Sequence, residues 1–280
     1  MPTIACILVN WNNWQDTADC LASLARQDYQ ALHVLVVDNG STNDSVARLR
    51  TLHPWATILE AGANLGFPKA CNLGAAHAPT ADLLWFLNND TVVPADTLFK
   101  LVVTAQAHPR AGIVGARLFY AHNPTQLQAW GGGHISRWTA YNTHFTAPHT
   151  FGPGDYITFA SALVRRSCFD QLGGLFEGVF MYFEDVDFSL RAATAGWQLV
   201  VAPDTAILHK EGGSTKGRNL KLEAIITSSA LTFLQRHAPI PVIAHALFLT
   251  LRLARRAVKR DWPGLRAVLA GARPRPRGAP

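Results

Sequence analysis

Apolar and polar positions in the first hundred residues switch repeatedly between two periods. "IACILVN" (4–10) is an apolar run ending on Asn10, and "WQDTADCLASLARQ" (14–27) spaces its apolar residues three and four apart, with Asp16 or Thr17 as a start signal. "HVLVVDNGS" (33–41) is a second, β-branched run. "SVARLRTLHP" (45–54) is helical up to its proline, and "ATILEAG" (56–62) reads as a third strand. The alternation continues with a helix in "GFPKACNLGAAHA" (66–78), a strand in "DLLWFLNND" (82–90) and a helix in "PADTLFKLVVTAQAHP" (94–109). Short apolar strands separated by helices imply parallel βαβ units, an α/β fold with helices on both faces of a sheet.

The second half is less regular. "GIVGARLFY" (112–120) reads as a strand, followed by a Trp/Gly/His-rich region over 126–150 in which "GGGH" (131–134) is expected to be a loop. "YITFASALVRRSCFDQLGGL" (156–175) predicts a strand leading into a helix that stops at Gly173-Gly174. "FMYFEDVDFSLRAATAGWQLVVAP" (180–203) predicts an aromatic run, an acidic cluster, a helix closed by Gly196 and a further strand.

Composition narrows the class. At 280 residues the chain can form one large α/β domain, and 49% hydrophobic with 16% charged residues is the balance of a folded protein. The four cysteines are scattered and form no C-x-x-C pair, so they are expected as buried thiols in a reducing compartment. The N-terminus lacks the basic start of a signal peptide, and no stretch reaches the ~20 apolar residues that span a bilayer. The turn after the first strand, "NWNNWQD", has no glycine, which argues against a dinucleotide fingerprint, and no Walker lysine motif occurs.

Acidic residues cluster where predicted strands and helices begin or end: Asp38, Asp90, Glu184, Asp185 and Asp187. Each has a structural reading, a turn for Asp38 and a helix start for Asp187. Three separate segments nevertheless deliver carboxylates to the open end of a sheet, where α/β folds bind ligands.

The order "VVDNGSTNDS", "NLGFPKACNLGAAHA", "LWFLNNDT", "GGLFEGVFMYFEDVDFSLRAATAG", "AILHKEGGST" resembles the family 2 glycosyltransferases, most closely the bacterial rhamnosyltransferase-like branch, over roughly 3–215. The resemblance implies a GT-A fold, a Rossmann-like, mostly parallel sheet flanked by helices. It also implies an inverting, metal-dependent transfer of a sugar from a nucleotide-diphosphate donor to an acceptor hydroxyl. Residues 1–115 would form the nucleotide-sugar half, 116–238 the acceptor and catalytic half, and 239–280 a C-terminal amphipathic helix and basic tail. "NND" matches the family's metal-diphosphate motif, with Asp90 on its last acid, Asn88 where many relatives carry the first, and Asn89 between them. Mg²⁺ or Mn²⁺ would be shared with the donor's phosphates, and His209 would complete its shell.

Asp185 matches the catalytic carboxylate and is the expected base, with Glu184 as its understudy. Asp38 matches the nucleoside contact, Val9 and Asn10 would lie beside the base, and Asn64, Lys69 and Asn72 would border the donor. Arg191 is expected to pair with the acidic motif. Trp130, His134, Trp138 and Tyr141 are candidates for stacking on the acceptor sugar. The implied donor is dTDP-L-rhamnose, with UDP- and GDP-hexoses open, and the implied acceptor is a glycan or lipid-linked glycan of cell-surface polysaccharide synthesis. A nucleotidyltransferase and a non-catalytic glycan-binding scaffold of the same fold are the alternatives.

Charge is segregated. Residues 252–280 carry nine Lys/Arg and one Asp, so this end holds a net +8 of the total +6 and the rest of the chain is slightly acidic. No nucleic-acid motif accompanies it, so no nucleic acid partner is expected. Preceded by the apolar stretch "VIAHALFLTL" (242–251), it reads as an interfacial helix on an anionic membrane, which would make a cytoplasmic protein peripheral at the inner face of the cell membrane. The alternative is an ordinary packed helix.

Overall fold

The computed structural model describes residues 1–210 and 219–273. The Gly212–Thr215 end of the last motif and the tail from 274 therefore lie outside the described residues. In chain order the first half comprises β1 (Ile4–Asn10), α1 (Trp14–Leu24), β2 (Leu32–Asp38), α2 (Ser45–Leu52), β3 (Thr57–Glu60), α3 (Phe67–Ala76), β4 (Leu83–Leu87), β5 (Thr91–Val92) and α4 (Thr97–Ala107). There follow β6 (Ala111–Tyr120), β7 (Asn123–Trp130), β8 (Gly132–Ile135), β9 (Asn142–His144), β10 (Asp155–Ile157), β11 (Ser161–Arg165), α5 (Arg166–Gln171), α6 (Glu184–Thr194) and β12 (Gln198–His209). The chain closes with α7 (Leu220–His237), α8 (Pro241–Val258) and α9 (Trp262–Gly271).

The predicted α/β alternation is present. The main sheet runs β3-β2-β1-β4-β11-β6-β12-β5, with β7 on β6. Its first four strands are parallel; β11 then enters antiparallel between β4 and β6, and β12 lies parallel to β6. The expected mostly parallel sheet is present, with antiparallel pairing where β11 enters, at β5 and at β7. A division at 115/116 falls inside β6, whose neighbours β11 and β12 both come from the later segment, so one sheet serves both halves.

Period-two alternation sends β1 side chains to two cores. Ile4, Cys6 and Leu8 pack with Leu21 of α1 and Leu98 and Leu101 of α4. Ala5 and Ile7 face Ala70, Cys71 and Ala75 of α3. All four cysteines are buried free thiols, as expected.

"GGGH" is a strand rather than a loop. It supplies β8, the centre of a second sheet in the order β10-β8-β9. A Cβ on Gly132 or Gly133 would collide with the carbonyl oxygens of Tyr156 and Thr143 on the flanking strands, so glycine is what allows the three to close up.

The C-terminal segment begins its helical packing at Leu220, earlier than 239. Phe233 and Leu234 of α7 join Phe248 of α8, Tyr156 of β10 and Val186 of α6 in a third core. Glu223 accepts from Arg252 (3.0 Å) and Arg256 (2.7 Å), and Arg256 also binds Asp261 (2.8 Å). Two of the tail's arginines are therefore spent holding α8 to α7 and to the cap of α9.

Candidate active site

The carboxyl ends of β1, β2 and β4 lie side by side, with Asn10 opposite Asp38 in the register. Asn10 Nδ2 donates to Asp38 Oδ2 (2.8 Å) and to Ser41 Oγ (3.2 Å). Thr17 Oγ1 donates to Asn10 Oδ1 (2.9 Å), and Asn89 Nδ2 donates to Thr17 Oγ1 (2.8 Å). Asp38 also accepts the Ser41 backbone N–H (2.9 Å) and hydroxyl (2.6 Å), so the turn reading of Asp38 is realised. Asn10, expected beside the nucleobase, is fully buried and spends its amide on this network; Val9 packs against the α3 core. Asn10 supports Asp38 from within the sheet edge, because a buried amide must satisfy its own hydrogen bonds first.

The loop before α3 is set by side-chain amides. Asn64 Oδ1 accepts from Asn39 Nδ2 (3.0 Å) and from the Gly66 N–H (3.1 Å). Gly66 has φ +84° and ψ 167°, a region open essentially to glycine alone, and a Cβ there would strike the Phe180 carbonyl oxygen. Asn72, expected to border the donor, instead uses both ends of its amide on Leu175 and one on Glu177, all at 2.9 Å. It fastens α3 to the segment leading into the acidic motif. Lys69 stands exposed on α3.

The "NND" turn and the end of β12 converge. Pairing of β12 with β5 puts His209 opposite Thr91. His209 Nε2 lies 3.1 Å from Asp90 Oδ1 and 3.3 Å from Asn88 Nδ2, and its Nδ1 lies 2.9 Å from Gln128 Oε1. The two expected metal residues, 119 positions apart in sequence, thus meet. Among the described residues no group of three His, Cys, Asp or Glu gathers as a metal site. One carboxylate oxygen and one imidazole nitrogen fit a divalent cation whose remaining ligands come from a diphosphate and water, as hard cations accept.

The acidic motif opens α6 after two consecutive left-handed residues, Tyr182 (φ +70°) and Phe183 (φ +68°), an unfavourable backbone for aromatic side chains. Packing holds it: Phe183 stacks on Phe233 at 5.4 Å, and Ser229 Oγ donates to the Met181 carbonyl at 2.8 Å. Asp185 is partly exposed. Its carboxylate accepts the Val186 N–H (2.8 Å) and also bonds the Phe159 backbone and the Thr158 side chain. Ala160, in the same turn between β10 and β11, accepts the Asn88 N–H at 3.1 Å. Thr158–Ala160 thus touches both Asn88, beside Asp90 and His209, and Asp185.

Burial raises the pKa of Asp185, with the N–H donors pulling against it. Burial also raises Glu184, and the neighbouring Asp185 charge adds to the rise. Glu184 Oε2 is buried with no hydrogen-bond partner among the described residues. Burial disfavours the ionised form of both carboxyls, and for Glu184 the Asp185 charge adds to that push.

On the acceptor side, Trp130 is half-buried: the Arg117 guanidinium lies 5.7 Å from its ring, and its backbone N–H donates to Phe145. His134 is 52% exposed and bonds Asp155 through Nδ1 at 2.8 Å; His149 binds the other oxygen of Asp155 at 2.8 Å. Trp138 and Tyr141 are exposed at 39% and 67%. Of the four, Trp138, Tyr141 and His134 keep faces free for a ligand.

Asp187, expected to order the start of α6, does something else. It is 3% exposed and receives Arg191 (2.7 Å), Arg236 (2.9 Å) and His237 (2.7 Å), the last two from α7. Arg191 pairs with the acidic motif as expected. Burial alone would raise the Asp187 carboxyl, but the His237 hydrogen bond and the Arg191 charge hold it down to about 2. A depression of that size is worth about 2 kcal/mol at neutral pH, gained above the unfolded pKa of about 4 and lost as pH falls towards the folded value. Asp187→Ala should destabilise the protein by about 2 kcal/mol at pH 7, because the partly exposed Arg191, Arg236 and His237 lose a buried carboxylate. In urea denaturation the gap to the wild type should narrow at pH 3; an unchanged gap would remove the ion-pair account.

The model of Glycosyl transferase family 2 matches residues 5–173. The chain is 32% identical over 222 residues to the N-acetylglucosaminyl-diphospho-decaprenol L-rhamnosyltransferase of Mycobacterium tuberculosis (strain ATCC 25618 / H37Rv), which covers 70% of this chain and 72% of that one. Among solved structures, the mannosyltransferase PcManGT from Pyrobaculum calidifontis in complex with GDP-Man and Mn²⁺ aligns with a TM-score of 0.63 at 18% identity, over 97% of this chain and 86% of the other. TarS 1-349 of S. aureus in complex with UDP-GlcNAc aligns with a TM-score of 0.59 at 14% identity, over 93% and 74%. The likeness to these structures lies in the α/β fold. The chain belongs to glycosyltransferase family 2 and has the GT-A fold.

Proposed function

We propose that the protein moves L-rhamnose from dTDP-L-rhamnose to a hydroxyl of a lipid-linked glycan during cell-surface polysaccharide synthesis, with inversion at the anomeric carbon. The observation that carries the reading is the convergence of Asp185 and the Asp90–His209 corner on the turn Thr158–Ala160. The sugar and the lipid-linked acceptor are supported by the name of the mycobacterial relative.

In this scheme Asp185 takes the proton from the acceptor hydroxyl. The oxygen attacks the anomeric carbon from the side opposite the diphosphate, and the bond from that carbon to the diphosphate oxygen breaks. Asp90 and His209 would hold Mg²⁺ or Mn²⁺ together with the diphosphate, and Asn88 adds an amide beside them. A bound cation supplies charge neutralisation for the leaving group. Asp38, fixed by Asn10 and Ser41, faces the nucleoside. The tips of Trp138, Tyr141 and His134 line the acceptor side.

Transfer of labelled sugar to a polyprenyl-diphospho-GlcNAc acceptor should occur from dTDP-L-rhamnose and fall by roughly 10²–10⁴ in Asp185→Asn, the usual contribution of a general base. The acid limb of the rate should lie above pH ~4, where an ordinary carboxyl titrates, because burial raises Asp185. Turnover of UDP- or GDP-hexoses in place of the rhamnose donor would reassign the sugar. Normal turnover by Asp185→Asn would remove the base.

The acceptor's lipid would bring the enzyme to a membrane, and α8 offers a surface for it. Ile243 (53% exposed), Leu247 (39%), Leu251 (52%) and Val258 (85%) share one outward face with only Ala and Thr between them. Exposed Arg255, Lys259 and Arg260 border that face, whereas Arg252 and Arg256 are spent on Glu223 and Asp261. Among the described residues no helix is long and apolar enough to cross a bilayer. An apolar face edged by cations fits the headgroup boundary of an anionic membrane. The wild type should sediment with phosphatidylglycerol vesicles and not with phosphatidylcholine vesicles, and L247E/L251E should stay in solution. Equal sedimentation of the variant, or a dimer that it abolishes, would overturn the assignment.

A further inference from the structure

The Asp90–His209 corner contains a constraint that the metal residues alone do not explain. His209 has two ring nitrogens, and a neutral imidazole carries a proton on only one of them. Nδ1 lies 2.9 Å from the amide oxygen of Gln128, an acceptor, so Nδ1 bears the hydrogen. Nε2 lies 3.3 Å from the amide nitrogen of Asn88, a donor, so Nε2 presents its lone pair. The two amides read the ring consistently from opposite sides.

That tautomer puts a bare nitrogen 3.1 Å from Asp90 Oδ1. Two acceptors at that distance repel unless positive charge lies between or beside them, either a second proton on the ring or a divalent cation, and it is the cation that needs Nε2 bare. The opposite orientation of the Gln128 amide would place a proton on Nε2, aim it at Asp90, and leave no nitrogen to bind. Gln128 is 3% exposed on β7, and His209 is 9% exposed at the end of β12. Since β7 and β12 flank β6 on opposite sides, the contact crosses a strand. Two elements from the later half of the chain thus determine how the first half's "NND" turn binds.

We propose that Gln128 is a positioning residue for the metal site, fixing His209 in the Nδ1–H form so that Nε2 serves as a ligand beside Asp90. The inference rests on the metal reading given above and adds a residue to it. A metal-bound histidine is characteristically oriented by an acceptor on its other nitrogen, and loss of that partner commonly costs 10–100-fold in metal affinity. A buried glutamine can do this without adding a further negative charge, which suits a site where the diphosphate supplies most of it.

The test uses the full chain, with Mn²⁺ and thymidine diphosphate as the probe. Long-range ¹H–¹⁵N spectra of histidine-labelled protein should show His209, identified by its loss in His209→Gln, as the Nδ1–H tautomer. In Gln128→Leu that signature should change, and the Mn²⁺ dissociation constant measured by electron paramagnetic resonance should rise about 10–100-fold. Gln128→Glu keeps an acceptor on Nδ1 and should restore both, which a purely structural role for the side chain would not predict. Unchanged tautomer and Mn²⁺ affinity in Gln128→Leu, with affinity lost in Asp90→Ala and His209→Ala, would overturn the role of Gln128 and leave the metal site standing. Unchanged affinity in Asp90→Ala and His209→Ala would remove the metal site itself and the proposal with it.

Discussion

Polar side chains buried at the tips of β1, β2 and β4 must find partners, because each one left unpaired costs about 1–3 kcal/mol. The chain answers with a continuous run of hydrogen bonds, Asn89 to Thr17 to Asn10 to Asp38 to Ser41. This run binds three strand ends and the first turn of α1 into one edge. Asp38 has its orientation from it, and Asn88 and Asp90 sit on either side of the residue that anchors it. These side chains are therefore held in place by hydrogen bonds within the protein itself, the kind of preorganisation that electrostatic stabilisation requires.

The base side is held differently. Asp185 and Asp187 lie two residues apart on α6 yet have opposite fates. Asp187 turns to α7, where Arg236 and His237 join Arg191 in holding it ionised at low pH. Asp185 faces the Thr158–Ala160 turn, and burial raises its pKa. The left-handed pair Tyr182 and Phe183 aims the start of the helix, and α7 bears the cost through the Phe183–Phe233 stack. The C-terminal helices thus brace the start of α6 as well as offering a candidate membrane surface, and their basic character is partly internal.

Much of this was legible in the sequence for physical reasons. Apolar runs of strand length alternate with helical spacing, and a buried run that ends on Asn or Asp marks the open end of a sheet. The order of five such motifs was enough to imply the family. Other features were not legible because they depend on contacts between distant segments. Nothing local in "TQLQAW" distinguishes Gln128 from an exposed strand glutamine; only the meeting of β7 with β12 across β6 gives it a role. Asn10 and Asn72 look like ligand residues in isolation and prove to be fasteners once their partners are visible. "GGGH" lacks the β-branched residues of a strand, yet its missing side chains are what allow the second sheet to close. The start of α9 is hidden in a basic stretch, and its signal is the Asp261 cap on the Gly264 N–H, 2.9 Å away.

The central claim is a single displacement driven by one carboxylate, Asp185, with no second carboxylate acting as a nucleophile. Among the described residues Glu184 has a buried oxygen without a hydrogen-bond partner, and burial raises its carboxyl, which disfavours it as a second, anionic nucleophile. The most direct measurement is the anomeric configuration of the first-formed product, read by NMR from the coupling at the anomeric carbon. The account predicts the configuration opposite to that of the donor. Retention of the donor's configuration would contradict it, because it would require two displacements, with a carboxylate bonded to the sugar between them.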